Sequence, residues 1–78
     1  MKELVEFIAR AIVDNPDEVE VEVEEDEESR RTIFHLYVAD DDMGKVIGKQ
    51  GRIANAMRDL LKVAAAQRGI RASLDIGD

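Results

Sequence analysis

The clearest sign of a ligand-binding site in this sequence is a pair of glycines placed three residues apart. Gly48 and Gly51 enclose Lys49 and Gln50, and Arg52 follows directly. Glycine adopts backbone conformations that other residues avoid, and it lets the backbone come close to a ligand. Cationic side chains beside the free amides of a helix start favour a bound phosphate. The turn therefore predicts an anion-binding site.

Two familiar phosphate-binding loops do not fit this turn. The Walker loop needs G-x-x-x-x-G-K-[ST], but Gly44 and Gly48 are one residue too close, and Gln50 stands where a hydroxyl should bind magnesium. The dinucleotide fingerprint G-x-G-x-x-G needs a glycine at position 46, where Val46 stands. Both nucleotide-binding readings therefore fail.

The elements before the turn follow from hydrophobic periodicity. An apolar face of Leu4, Val5, Ile8 and Ile12 predicts a helix from Met1 to about Asp14. Asn15-Pro16 ends it, because the residue before proline disfavours helical angles. The alternation of Glu and Val over 18–24 predicts a strand with its valines (19, 21 and 23) inward, followed by a solvated hairpin loop over 25–29 and a second strand over 31–39.

Three aspartates, at positions 40–42, offer helix N-caps before a short helix over 43–47. A longer helix over 52–67 has the apolar pattern Ile53, Met57, Leu60, Leu61 and Ala64. A last strand is predicted over 70–76. The order α-β-β-α-α-β predicts an α+β fold, in which helices cover one face of a three-stranded sheet.

With these elements in place, the segment from Met43 to Arg52 resembles the core motif of KH domains, [IV]-I-G-x-x-G. Those domains hold a G-x-x-G loop between two helices and clamp about four nucleotides of a single strand. The element order is similar to the type II arrangement, and the resemblance covers residues 1–78 as one domain. Length and layout look most like the small bacterial RNA-binding proteins with one KH domain, of the KhpA (YlqC) kind.

This resemblance implies roles for particular residues. The backbone at Gly48 and Gly51 would lie against the sugar-phosphate chain, and Lys49 and Gln50 would reach phosphate oxygens. Arg52 would add charge at the start of the long helix. Further contacts implied by the motif are a cation on the approach (Lys45), an apolar groove floor (Val46 and Ile47) and a polar contact to a base or sugar (Asn55). Arg71 and Ser73 would rim the groove from the last strand.

Composition limits the other classes of function. The sequence has no cysteine, one histidine, and no nucleophile with an evident base, so we predict neither a metal or cofactor site nor an enzyme. No apolar run is long enough to cross a membrane, which favours the cytoplasm. The formal net charge is −7, but it divides into −11 for residues 1–42 and +4 for residues 43–78. Local potential decides where an anion docks, so the second half is the predicted binding side.

We therefore predict a protein that binds single-stranded RNA through residues 45–55, as an RNA chaperone or post-transcriptional regulator. Arg58 and Lys62 would either extend the RNA path or form a solvated face with ordinary ion pairs. The alternative function is a KH-shaped interaction subunit that forms a homodimer, or pairs with a larger KH-containing protein. Ile33 and Tyr37, on the outer face of the second strand, would be one place for such a partner.

Overall fold

A computed structural model describes residues 1–77 and confirms the predicted α+β order. The elements are α1 (Lys2–Ile12), β1 (Glu20–Asp26), β2 (Arg31–Tyr37), α2 (Met43–Ile47), α3 (Arg52–Gln67) and β3 (Arg71–Ile76). β2 is the central strand, antiparallel to β1 and parallel to β3. Among the described residues, no helix is both long and apolar enough to cross a membrane.

The predicted boundaries are reproduced for α2 and α3 and shift by at most two residues elsewhere. α1 ends at Ile12 because Val13 has extended angles, with φ −95° and ψ 160°. A 3₁₀ turn over Pro16–Glu18 delays β1, which then continues to Asp26, beyond its predicted end. β2 is two residues shorter than predicted. β3 starts after Gly69, whose φ of 71° ends the preceding helical turn.

The core lies between the helices and the inner face of the sheet. Strand register places Val21, Leu36 and Ile76 in one row across that face, and Val23, Phe34 and Leu74 in the next. Most of these side chains are buried against residues of α1 and α3, namely Val5, Ala9, Met57 and Leu61. Val23 lies on the inner face as predicted for it, Val19 and Val21, but near the hairpin it is 45% exposed.

α3 buries Met57 and Leu61 as its apolar pattern predicts, but the rest of its buried face differs from the predicted one. Ala54, Met57, Leu61 and Ala65 are buried, at spacings of three and four residues. Ile53 and Leu60, which we predicted to be inward, are 37% and 54% exposed. Alanines at 54 and 65 let the helix backbone approach its neighbours closely. The large apolar residues of α3 left at the surface are Ile53, Leu60 and Val63.

A buried carboxylate joins the end of α1 to the start of α2. Asp42 is fully buried, and its oxygens accept hydrogen bonds from the backbone N–H groups of Asp14 (3.1 Å) and Asn15 (3.0 Å). The side-chain amide of Asn15 donates a third, at 3.0 Å. We predicted Asp40–Asp42 as helix caps, but no side-chain cap bond forms at the start of α2. Asp42 instead satisfies the backbone of a segment about 27 residues away.

The surroundings of Asp42 favour the charged form of its carboxyl group. Burial alone would raise the pKa of its carboxyl. The hydrogen bonds from Asn15 and Asp14, together with the charge of Lys45, outweigh burial and hold that pKa below its ordinary value. The charged form is therefore the one that the fold stabilises.

This geometry predicts an acid-sensitive contribution of Asp42 to stability. Because its pKa is lower in the folded chain, the contribution is fully present above the unfolded value of about 3.9 and is lost as pH falls through the folded value. Asp42→Asn should lower the melting temperature at pH 7, and the difference from wild type should shrink below about pH 4. Asp41→Asn, at the exposed neighbouring residue, is the matched control. Equal melting of the two variants at pH 7 would contradict the assignment.

Candidate nucleic-acid interface

The Gly48–Gly51 turn depends on three residues with positive φ. Gly48 has φ 75° and ψ 175°, a region that is essentially restricted to glycine. Gln50 (φ 57°) and Gly51 (φ 76°) are both left-handed. Such a conformation is uncommon for a residue with a side chain, so Gln50 carries backbone strain at the tip of the turn. The turn therefore has a specific backbone conformation that an ordinary connection between two helices does not require.

Gly48 is also required by close packing. A Cβ atom at this position would lie 2.7 Å from Cγ1 of Ile53 and 3.0 Å from its Cβ. Ile53 therefore folds back over the turn from the first residues of α3. This contact explains why Ile53 is not on the predicted core face. Ile53, which we predicted to lie in the interior, instead adds an apolar side chain beside the turn.

The turn presents its polar groups to solvent. Lys49, Gln50 and Arg52 are all exposed. The amide of Gly48 closes α2 by donating to Gly44 O at 2.9 Å, and that of Gly51 donates to Gly48 O at 3.2 Å. α3 begins immediately afterwards, so the positive end of its dipole lies beside two cationic side chains. The arrangement suits an anion.

Lys45 differs from the other predicted cations because it has a partner. Its ammonium forms an ion pair with Asp14, and that hydrogen bond raises the pKa of Lys45 above its ordinary value. The pair connects α2 to the end of α1, close to the hydrogen bonds of Asp42. Lys45 is therefore partly neutralised, whereas Lys49 and Arg52 have no carboxylate within ion-pair distance among residues 1–77.

Of the two residues predicted to form the apolar groove floor, Val46 is buried and Ile47 is exposed. Val46 is fully buried in the core, and its part in the floor of the groove stays a prediction. Helical spacing in α2 turns Val46 inward and Ile47 outward. Ile47 is 36% exposed, and with Ile53 it forms the accessible apolar surface next to the turn.

One turn into α3, Asn55 and Arg58 form a polar pair next to Gly51. The side-chain oxygen of Asn55 accepts a hydrogen bond from Arg58 at 3.2 Å, and Nε of Arg58 donates to Leu74 O in β3 at 3.1 Å. Arg58 thus joins α3 to the edge strand and orients Asn55. The prediction of ordinary ion pairs for Arg58 and Lys62 is wrong within the described residues, since neither contacts a carboxylate.

The outer face of the sheet has the opposite charge. Glu22, His35 and Asp75 form one row across its three strands, and Glu24 adds a 2.9 Å contact from its Oε1 to Nε2 of His35. Glu20 extends the acidic stripe along β1. This face repels a polyanion. The turn and the α3 side of the molecule therefore remain as the surface that attracts one.

Residues 2–76 match the family described as KhpA/KhpB, KH domain. The chain belongs to this KH-domain family. The α+β architecture is that of a type II KH domain, and Gly48–Gly51 lies between the helices α2 and α3.

Individual relatives carry the same family name. The chain is 54% identical over 76 residues to "RNA-binding protein KhpA" of Caldanaerobacter subterraneus, covering 97% of this chain and 99% of that protein. It is 51% identical to the protein of that name from Clostridium acetobutylicum, with the same coverage, and 51% identical to that of Halalkalibacterium halodurans over the full length of both. No solved structure gives a significant match.

The geometry of the turn predicts that its glycines differ in their tolerance of alanine. Gly48→Ala should destabilise the domain by about 1–3 kcal/mol from backbone strain, with a further cost from the contact with Ile53. Gly51→Ala should cost about 1–2 kcal/mol, since a left-handed residue gains a Cβ there that meets only an ordinary contact, Asn55 Nδ2 at 3.8 Å. Urea unfolding of each variant measures these differences.

Gly44→Ala is the internal control for this series. Gly44 lies within α2, and an added Cβ there meets nothing within 4 Å. Alanine should therefore stabilise the helix by about 0.5–1 kcal/mol. Similar losses for Gly44→Ala and Gly48→Ala would contradict the proposed origin of the effect.

Proposed function

We propose that this protein binds single-stranded RNA through the Gly48–Gly51 turn and the start of α3. The observation that carries the proposal is the strained turn, which exposes Lys49 and Gln50 beside the positive end of a helix. The names of the relatives, each an RNA-binding protein, support the same ligand.

In this proposal, the residues divide the work by chemistry. Lys49 and Arg52 neutralise phosphates beside the positive end of the α3 dipole, which favours an anion. Ile47 and Ile53 give an apolar surface for bases, while Asn55, oriented by Arg58, provides hydrogen bonds to a base or sugar. Lys45 contributes less than the other cations because Asp14 competes for its charge.

The wider assignment follows from that binding mode. We infer that residues 1–78 act as one KH domain, as an RNA chaperone or post-transcriptional regulator in the cytoplasm, and not as an enzyme. No cofactor or small-molecule substrate takes part in the mechanism. Pairing with a second copy or with a larger KH-containing protein would bring two such sites together and increase avidity.

Two substitutions in the turn test the binding mode directly. Lys49→Asp with Gln50→Asp should abolish RNA binding, because they place two carboxylates against the phosphate chain. Aspartate tolerates the left-handed angles of position 50, so the fold should be retained. Wild-type affinity should fall with salt at a log–log slope of roughly −1.4 to −2, as expected for two or three phosphates.

Lys2→Asp with Ser29→Asp is the matched control, since it changes the net charge equally at exposed positions on α1 and in the hairpin. Fluorescence anisotropy with a labelled single-stranded RNA measures binding, and circular dichroism verifies folding. Unchanged RNA affinity in the folded turn variant would rule out this binding mode.

A second candidate function, self-association, is favoured by the exposed apolar residues of α3. Leu60 is 54% and Val63 60% exposed on the helix side opposite Arg58 and Lys62. Ile33 and Tyr37, our sequence-based choice for a partner surface, are only half-exposed. A domain this small gains stability by covering such a surface with a partner.

Sedimentation equilibrium tests this second candidate. Leu60→Glu with Val63→Glu should shift a dimer to monomer, because it places charge in an apolar contact. Ile33→Glu with Tyr37→Glu should leave the dimer intact. A wild-type protein that remains monomeric at high micromolar concentration would exclude self-association through this face.

A further inference from the structure

Lys45 is the one Lys or Arg in the described chain whose charge is already engaged by a carboxylate. Its ammonium pairs with Asp14, and among residues 1–77 no other Lys or Arg has a carboxylate oxygen within 4.0 Å. Asp14 follows the end of α1, 31 residues before Lys45. The pair thus connects two segments that are distant in sequence, and it engages a cation of the helix that leads into the turn.

Lys45 lies close to the proposed RNA-binding turn. It is in α2, three residues before Gly48, which corresponds to a rise of about 4.5 Å along the helix. The amide of Gly48 continues the helical hydrogen bonds by donating to Gly44 O at 2.9 Å, so no irregular segment separates Lys45 from the turn. A nucleic acid strand held at the turn therefore has Lys45 as its nearest cation on the α2 side.

The Asp14–Lys45 ion pair is open to exchange, whereas the neighbouring contact of Asp42 is not. The side chains of Asp14 and Lys45 are 75% and 43% exposed, so a ligand can reach both partners. An ion pair this exposed contributes little to stability. Asp42 is fully buried and accepts three hydrogen bonds from Asp14 and Asn15. The junction between α1 and α2 therefore keeps its main contact when Lys45 leaves Asp14.

We propose that Asp14 is an intramolecular competitor of RNA at Lys45, and that binding exchanges the Asp14–Lys45 ion pair for a contact between Lys45 and a phosphate. Carboxylate and phosphate oxygens are both anionic acceptors, and either suits a charge-assisted hydrogen bond from an ammonium. The inference rests on the proposed RNA-binding function and adds a means of regulation to the same site. A strand that is also held at the turn displaces Asp14 more readily than an isolated anion does, so the pair selects for the strand.

The competition has a predictable size and sign. It lowers the apparent RNA affinity in proportion to the fraction of molecules in which Lys45 is free. For an exposed pair, this factor is about two to five. The coupling is reciprocal, so bound RNA also weakens the contact between the end of α1 and α2. Removal of the Asp14 carboxylate should therefore tighten RNA binding although it loosens the fold, a combination that a purely structural ion pair does not produce.

Asp14→Asn tests these opposed effects. The substitution leaves the backbone N–H of residue 14 able to donate to Asp42. Binding of a labelled ten-nucleotide oligouridylate at 0.1 M salt should tighten about two- to fivefold. The melting temperature should fall by roughly 5 °C or less. Fluorescence anisotropy measures the affinity, and circular dichroism measures the melting.

Two further variants make the test specific to Lys45. Asp17→Asn removes the same charge from an exposed position three residues away, where no cation lies within ion-pair distance among residues 1–77. It should leave RNA affinity near wild type. Lys45→Met should weaken binding, and in that background Asp14→Asn should have no more effect than Asp17→Asn.

A measurement on the wild type does not depend on the stability of any variant. The side-chain carboxyl carbon of Asp14, followed by NMR, should shift when RNA saturates the protein, because the carboxylate loses its ammonium partner. The carboxyl carbon of Asp17 should keep its position and serves as the internal reference.

Three results would overturn the inference while the proposed function stands, in each case with RNA bound by the wild type and lost in the Lys49/Gln50 turn variant. The first is an equal gain in affinity for Asp14→Asn and Asp17→Asn, which would indicate general charge alone. The second is weaker binding by folded Asp14→Asn, which would show that the pair supports the binding conformation. The third is an unchanged Asp14 carboxyl resonance at saturation. A wild type that does not bind RNA would instead refute the proposed function, and the inference with it.

Discussion

The buried carboxylate of Asp42 is the contact on which the position of the Gly48–Gly51 turn depends. A charge removed from water is costly unless hydrogen bonds replace its hydration, and here three donors from Asp14 and Asn15 do so. These donors belong to the segment that ends α1, whereas Asp42 immediately precedes α2. The contact therefore fixes the start of α2 relative to the rest of the core. Since α2 has only five residues, its orientation sets that of Gly48 one residue later.

The junction between the end of α1 and the start of α2 also affects the charge available near the Gly48–Gly51 turn. Lys45 lies one turn into α2, and it completes the cluster by pairing with Asp14. A cation that stabilises this junction is less available to a ligand, so structure and binding compete for it. The backbone strain at Gln50 also has a consequence for exposure. The left-handed conformation at the tip of the turn keeps two neighbouring side chains pointing to solvent. The packing of α2 and α3 in the core offsets the energetic cost of the strained turn between them.

Local patterns in the sequence were enough to predict the element order, the bounds of α2 and α3 and the location of the turn. They failed where the outcome depended on contacts distant in sequence. α3 has more apolar residues than one face can bury, and only packing against the sheet decides that Ala54 is inside and Leu60 outside. Nothing local distinguishes Asp42 from Asp40 and Asp41, because its partners lie near residue 14. The pairing of Lys45 with Asp14 could not be predicted for the same reason.

The distribution of charge explains how an acidic protein can still attract a polyanion. The acidic stripe of β1 and the outer sheet face lies on the opposite side of the sheet from α3, while ten of the eleven Lys and Arg residues have no ion-pair partner among residues 1–77. Field strength near a surface is set by the closest charges, particularly at physiological salt, where the Debye length is about 8 Å. A strand that approaches the turn is therefore attracted, although the whole molecule is negative. Approach to the sheet face is opposed. Net acidity thus restricts the direction of binding, and it limits the non-specific adsorption to which a uniformly basic domain is prone.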